Sequence, residues 1–390
     1  MDGPPVTTIT TAPLPSPLVG PTFGSYVADD VKWLLQDLGD AVLEAPASER
    51  EKLIQSGRAN YAESLPIEYL PSAEYEELYR ESLERSGRRL AVAVGVVTDT
   101  VLASRNNRPV IVSLARAGTP IGILMRRWAK TMRGVDVPHY TMSIVRGVGL
   151  DQTALRYLAA HHDPEQIVFV DGWTGKGAIA RELTAALKLF TETDGITFND
   201  DLAVLADPGH CVGVYGTRDD YLIPSACLNS TVSGLVSRTV FNRTLIGENE
   251  FHGAKFYTEL AANDVSRVFL DTVCAHYPDV EAEVAAELQA AQASDHTVTW
   301  VGWKAVEAIA AEYGIDNINL VKPGVGETTR VLLRRVPWKI LVRPDALDDI
   351  AHVLLLAELR GVETVLVPGL AYSCVGVIHP VTGRAPEDTP

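Results

Sequence analysis

A parallel α/β sheet flanked by helices, followed by a smaller α/β unit, is the fold this sequence predicts. Three observations carry it. From residue 110 onward, apolar runs of strand length alternate with stretches of helical periodicity. The runs are continuously apolar, as strands covered on both faces require. The alternation also starts afresh after EAEVAAELQAAQASDHT (281–297), an Ala/Glu-rich helix ending in a polar break. These shifts divide the chain into a disordered tail over 1–25, a first domain over 26–290 and a second over 298–390.

Taken in order, the first 25 residues hold prolines and threonines without a basic start, the composition of a tail and not of a signal peptide. DDVKWLLQDL (29–38) has apolar positions at helical spacing. AEYEELYRESLERSGRRLAVAVGVVTDTVLASR (73–105) reads as one long helix, broken by NNRP. VIVSLA (110–115) is a buried strand, RAGTP a turn, and IGILMRRWAKTM a helix. HYTMSIV, LDQTALRYLAAHH, IVFVDG and KGAIARELTAALKLF repeat the order strand, helix, strand, helix, and LAVLADP and CVGVYG add two short apolar runs. Beyond the break come WKAVEAIAAEYG (helix), NINLVKPGVGE (strand and loop), TTRVLLRRV (helix), WKILVRP (strand), ALDDIAHVLLLAELRG (helix) and TVLVPGL (strand).

Composition narrows the function classes. Charged residues are 22% and hydrophobic ones 46%, the balance of a globular protein, and no apolar stretch reaches the length of a membrane span. The four cysteines (Cys211, Cys227, Cys274, Cys374) form no CxxC pair, which argues against a zinc ribbon or disulfide scaffold and fits a reducing cytoplasm. A formal net charge of −16 weighs against bulk nucleic-acid binding. One window departs from that total. Lys322, Arg330, Arg334, Arg335, Lys339 and Arg343 stand there against a single acid, Glu327.

Two turns suit phosphate chemistry. In IVFVDGWTGKGAIA an apolar strand ends at Asp171 and a glycine-rich turn opens a helix. Only Trp173 and Thr174 separate Gly172 from Gly175-Lys176, and Gly177 stands where a P-loop needs Ser or Thr, so the nucleotide-hydrolase loop is excluded. The remaining readings are a turn without ligand, or backbone N–H groups of Thr174, Gly175, Lys176 and Gly177 surrounding a monophosphate at a helix start. In VSLARAGTPIG a second strand meets Arg116, Ala117 and Gly118, which combine a cation with close backbone approach, as pyrophosphate requires.

These two turns resemble the pyrophosphate and phosphoribosyl pyrophosphate (PRPP) loops of type I phosphoribosyltransferases. Residues 24–280 are similar to the StiP-type phosphoribosyltransferase-like proteins of bacterial tellurite-resistance and stress gene clusters. VSLARAGTPIGILMRRW, VPHYTMSIVRGVGLD, FVDGWTGKGAI, DDYLIPSACLNSTVSGLVSRTV and FHGAKFY carry the likeness. The resemblance implies a type I phosphoribosyltransferase-like sheet and pentosyl transfer from PRPP with magnesium bound through it. Arg116 would stabilise the leaving pyrophosphate and Asp171 would hold the ribose. Gly172 stands where ordinary members have a second acid. Arg146, Arg218, Asp219, Asp220 and Ser230 are candidates to line the site of a base-like acceptor. A sensor that binds PRPP or a nucleotide without turnover is the rival reading.

Some members of this family carry a cysteine-protease label, which gives a third reading. Cys227 follows Pro224 in SACLNSTVSG, where the first turn of a helix would lower its pKa, and His252 in FHGAK would serve as base, with Asp219 or Asp220 orienting it. The bland alternative is a thiol buried as a small hydrophobe.

The C-terminal stretch KPGVGETTRVLLRRVPWKILV with DIAHVLLLAELRGVETVLVPG resembles the pelota-type RNA-binding domain, whose Gly-x-Asn-Glu-x-x-Lys helix start faces RNA. Gly324, Gly326, Glu327 and Arg330 occupy those positions, with Gly326 in place of Asn, and Arg334 extends the basic side. RNA contact through phosphates is the expectation, and a small α/β unit used for homodimerisation is its alternative.

Overall fold

The computed structural model describes residues 13–45, 63–68, 70–145, 147–334 and 337–379. The main elements in chain order are β1 (Leu18–Val19), β2 (Lys32–Leu34), α1 (Ala73–Ser104), β3 (Val110–Ala115), α2 (Gly118–Arg133), β4 (His139–Val145), α3 (Gln152–His161), β5 (Ile167–Trp173), α4 (Ala178–Asp194), β6 (Leu202–Ala206) and β7 (Val214–Thr217). Then follow α5 (Ser266–Ala275), α6 (Tyr277–Gln292), α7 (Val301–Glu312), β8 (Val321–Pro323), α8 (Gly324–Arg334), β9 (Lys339–Val342), α9 (Ala351–Leu359), β10 (Glu363–Leu366) and β11 (Cys374–Val377).

The large sheet runs β1-β2-β4-β3-β5-β6-β7, and Gly149–Leu150 pairs β4 off this path. Every pairing from β2 to β7 is parallel, while β1 is an antiparallel edge. Alternate residues of each central strand feed opposite cores, which is why the strands read as continuous apolar runs. Val168 and Val170 face the core shared with α1, α2 and α6, and Ile167 and Phe169 face the one under α3 and α4. Leu205 and Val204 divide in the same way. The expectation of a mixed α/β fold with a parallel sheet therefore holds.

The five strands from β3 onward lie in the order β4-β3-β5-β6-β7, the 2-1-3-4-5 arrangement of a doubly wound sheet. Its switch point falls between β3 and β5. The turn after β3, with Arg116 to Gly118, and the turn after β5, with Asp171 to Gly177, both open there at the carboxyl ends.

Two expectations fail at the N-terminus. Residues 29–38 are not helical: Lys32–Leu34 pairs with Tyr140–Met142 as a parallel strand, burying Trp33 and Leu34. Residues 13–25 are not tail-like: Leu18–Val19 pairs with β2, and Phe23 packs edge-on to Trp33 with ring centres 5.7 Å apart.

The C-terminal unit has a four-stranded sheet in the order β8-β11-β9-β10, parallel only between β9 and β10. One face buries Val306, Ile309, Leu341 and Tyr372. The other, under α8 and α9, buries Val325, Leu332 and Val353, and this core is continuous with Leu222, Ile223 and Cys227 of the first domain. The two units are thus packed together through apolar contact.

Candidate functional site

The crest of the large sheet gathers the loops that leave β3, β5 and β6. Gly118 opens α2 beside β5, and a Cβ there would stand 2.4 Å from the Val170 carbonyl oxygen, so only glycine permits this approach. Arg116 does not project freely toward a leaving group. Its Nη1 donates to Glu68 Oε1 at 2.5 Å and to the Val236 carbonyl at 3.3 Å, and the Glu68 side chain is itself buried. Ala117 caps α2 without a side-chain bond.

Asp171 is half-buried at the end of β5, and its carboxylate accepts one bond, from the N–H of Gly172 at 2.7 Å. Burial pushes its pKa up to about 7, with the Gly172 bond opposing. Thr174 turns inward. Its hydroxyl donates to the fully buried Asp207 carboxylate, which also pairs with the Arg218 guanidinium. The N–H groups of Cys211 and Val212 complete the shell around Asp207, at 2.9–3.2 Å. Burial still raises the Asp207 pKa above the usual carboxylate range.

This shell fixes the loop after β6, and with it Cys211. The Cys211 Sγ lies 3.5 Å from the Gly175 carbonyl oxygen, within the glycine-rich turn. Burial and Asp207 push the thiol up to about 12, against the opposing pull of Thr174, Arg181 and Arg218. His210, next to it, is half-buried, with its pKa lowered by burial and by Arg218. Lys176 reaches away from the turn, its Nζ donating to the Ile318 carbonyl at 3.1 Å.

The residues expected to line an acceptor site do not converge. Arg218 holds Asp207 and stacks over the Tyr215 ring at 3.9 Å. Asp219 pairs with Arg89 at 2.8 Å. Asp220 is buried and turned to the C-terminal unit: its carboxylate accepts from the N–H of Val325 at 3.0 Å and of Ser373 at 2.8 Å. Burial pushes its pKa up to about 6. The Ser230 hydroxyl is buried without a partner. Arg146 lies outside the described residues.

Cys227 ends the short 3-10 turn Pro224–Cys227 and does not begin a helix. It is 1% exposed, and burial pushes its thiol up to about 12, against a smaller pull from Arg330. His252 is held elsewhere: its ring nitrogen Nδ1 bonds the Ser143 hydroxyl at 2.9 Å, and its N–H donates to Asp151. No hydrogen bond joins Cys227 to His252, so the dyad expected from the sequence is not formed.

At the C-terminal helix, Gly324 is buried against Trp173 and Asp220, and Gly326 and Glu327 are half-buried. Arg330 is exposed, and the side chain of Arg334 lies outside the described residues. Within the basic window, Lys339 pairs with Glu363 and Arg343 with Asp345, which offsets part of its charge. Among the described residues no group of three His, Cys, Asp or Glu is placed to hold a metal, and no helix is long and apolar enough to cross a membrane.

Glu68, Asp207, His210 and Tyr372 are not among the residues expected at the site, and Cys211 entered only as one of four cysteines without a CxxC partner. Asp207 and Cys211 had one available signal: an acid at the carboxyl end of a strand, followed by the turn Pro-Gly-His-Cys.

Comparison with known proteins completes the picture. Residues 24–274 match the family described as tellurite-like stress resistance cysteine protease StiP, and residues 300–380 match the PELOTA RNA binding domain. Cysteine protease StiP of Acinetobacter baylyi is 35% identical over 343 residues, covering 85% of this chain and 86% of that protein. The chain belongs to the StiP family. The family description and the relative's name both denote a cysteine protease, a hydrolase, and this overturns the expected pentosyl transfer.

Proposed function

We propose that this chain is a cysteine hydrolase acting on peptide bonds, with Cys211 as its nucleophile, and that residues 300–380 contact RNA. One observation carries the choice of thiol. Cys211 stands on the crest of the sheet with its sulfur against the glycine-rich turn, within the pull of Arg181 and Arg218, and its chain neighbour His210 carries an imidazole whose pKa is lowered. Open α/β sheets place their ligands at such crests. Cys227 and Cys374 are as buried as Cys211 but lie in the apolar core that also holds Val325, Leu332 and Val353, with no hydrogen bond to the glycine-rich turn. Cys274 ends helix α5, where the dipole opposes a thiolate.

The chemistry requires a thiolate, a base within reach and donors for the oxyanion. His210 supplies an unprotonated nitrogen at neutral pH, because burial and Arg218 hold its pKa down. The 172–177 turn faces the thiol with the Gly175 carbonyl, an acceptor, so in this closed arrangement it presents no oxyanion donor there. The buried thiol is protonated in this closed arrangement, so hydrolysis requires the crest to open.

The test is cleavage of casein by the purified full chain, alone and with bulk transfer RNA, compared with Cys211→Ala, Cys227→Ala and Cys274→Ala. Loss confined to Cys211→Ala is expected. Cleavage that survives Cys211→Ala, or a wild type that never cleaves, would sink the assignment.

A further inference from the structure

The crest is covered by the C-terminal unit. The Tyr372 hydroxyl donates to the Gly175 carbonyl at 3.1 Å, and the N–H groups of Trp300 and Gly302 donate to His210 and Gly209, each at 3.0 Å. Arg181 stacks over Trp303 at 3.8 Å. A Cβ on Gly302 would lie 2.7 Å from the Gly209 Cα and 2.0 Å from the Tyr372 hydroxyl, so the cover sits in close backbone contact with the Cys211 loop.

A second zone of the same contact involves α8. The first turn of a helix presents N–H groups with no partner inside the helix, and an anion satisfies them. Here the anion is Asp220, which accepts from Val325 at the start of α8 and from Ser373 beside it. The Ser373 hydroxyl also donates to the Asp220 carbonyl at 2.7 Å. One turn on, Glu327 Oε2 is buried with no partner. Gly324 and Gly326, in register with the RNA-facing motif, therefore lie against the first domain, and a carboxylate of this chain holds a place where a phosphate oxygen has the same charge and accepting geometry.

We propose that docking of the C-terminal unit is an autoinhibitory latch, in which Asp220 holds the place of an RNA phosphate at the start of α8. RNA binding there and closure over Cys211 then exclude each other. The latch rests on the RNA-binding reading of residues 300–380 and is independent of the hydrolase reading, because its readouts are thiol access and RNA affinity.

The experiment uses the full chain, a fluorescent single-stranded RNA oligonucleotide at fixed salt, and mass spectrometry of iodoacetamide-treated Cys211. Saturating RNA is expected to speed Cys211 alkylation by about tenfold or more, and a latch-opening variant is expected to tighten RNA binding by a matching factor, because coupling is reciprocal. Asp220→Asn turns an amide donor toward the Ser373 N–H or the Val325 N–H and opens the latch without RNA. Gly302→Ala does so by steric contact with Gly209, and it serves if the first variant does not fold. RNA that binds wild type and variants alike while Cys211 stays protected overturns the latch, as does failure of every form to bind RNA. Absence of peptidase activity alone would remove the hydrolase reading and leave these measurements intact.

Discussion

Replacing Arg218 with Met tests whether the Asp207 shell fixes the Cys211 loop. The perturbation keeps the aliphatic stem over Tyr215 and removes the guanidinium that pairs with a fully buried carboxylate. Breaking a buried pair from one side costs about 3–5 kcal/mol, because the remaining charge is left uncompensated. Asp207 keeps donors from Thr174, Cys211 and Val212, which places the expected cost near the lower end of that range. The lost stacking on Tyr215 adds roughly 0.5–1 kcal/mol. Together these shift the melting of a unit this size by on the order of 10 °C. Urea and thermal unfolding followed by tryptophan fluorescence read the change, and Cys211 should alkylate faster in the variant. The sign with pH follows from Asp207. Burial already raises its folded pKa, and removal of Arg218 raises it further. The penalty is then greatest at alkaline pH and shrinks as falling pH protonates the carboxylate. Asp207→Asn in the same chain should recover much of the loss, since no buried charge remains. A cost below about 1 kcal/mol, or a cost unchanged by Asp207→Asn, would refute the view that this pair organises the loop.

Two further expectations concern single side chains. Asp171→Asn should stabilise the protein by about 1–2 kcal/mol at pH 8, discounted for partial exposure, because a desolvated carboxylate with one partner becomes an amide. The folded pKa is raised to about 7, so the wild-type deficit builds up as pH rises from about 4 to 7 and is full above that; equal melting temperatures of the two forms at pH 8 would count against it. Brief iodoacetamide treatment of the native chain should modify Cys274 first, the one thiol that is not fully buried, with Cys211, Cys227 and Cys374 protected. Early labelling of Cys227 in a peptide map would contradict the packing around it.

The central strands were legible because burial on both faces leaves no polar alternation to confuse their reading. β3, β4, β5 and β6 all lie within apolar runs that stand out in the sequence. VKWLL was not legible in the same way. A short apolar run fits helix or strand equally, and β4, which decides the matter, lies more than a hundred residues away. The aromatic contact between Phe23 and Trp33 likewise leaves no trace in the composition around Phe23. At the site, the glycine-rich turn and the approach of Gly118 followed from local spacing, whereas the partners did not. Arg116 is answered by Glu68, and Asp220 by Val325 and Ser373, across separations that no local pattern encodes.

The two buried carboxylates of the crest look alike in chemistry and differ in how they are held. Asp207 takes its backbone donors from Cys211 and Val212, four and five residues away in the same loop. Those donors move with it, so no outside anion can compete without unfolding the loop. Asp220 takes its donors from residues 105 and 153 positions further along, on a separate packed unit. Those donors leave whenever the unit leaves, and an external phosphate can then take them. Burial raises the pKa of both acids, so each site holds its charge at some cost to stability. For Asp207 that cost secures one loop conformation. For Asp220 it weakens a contact between two units, and a contact weakened in this way is one that a more strongly anionic competitor can open.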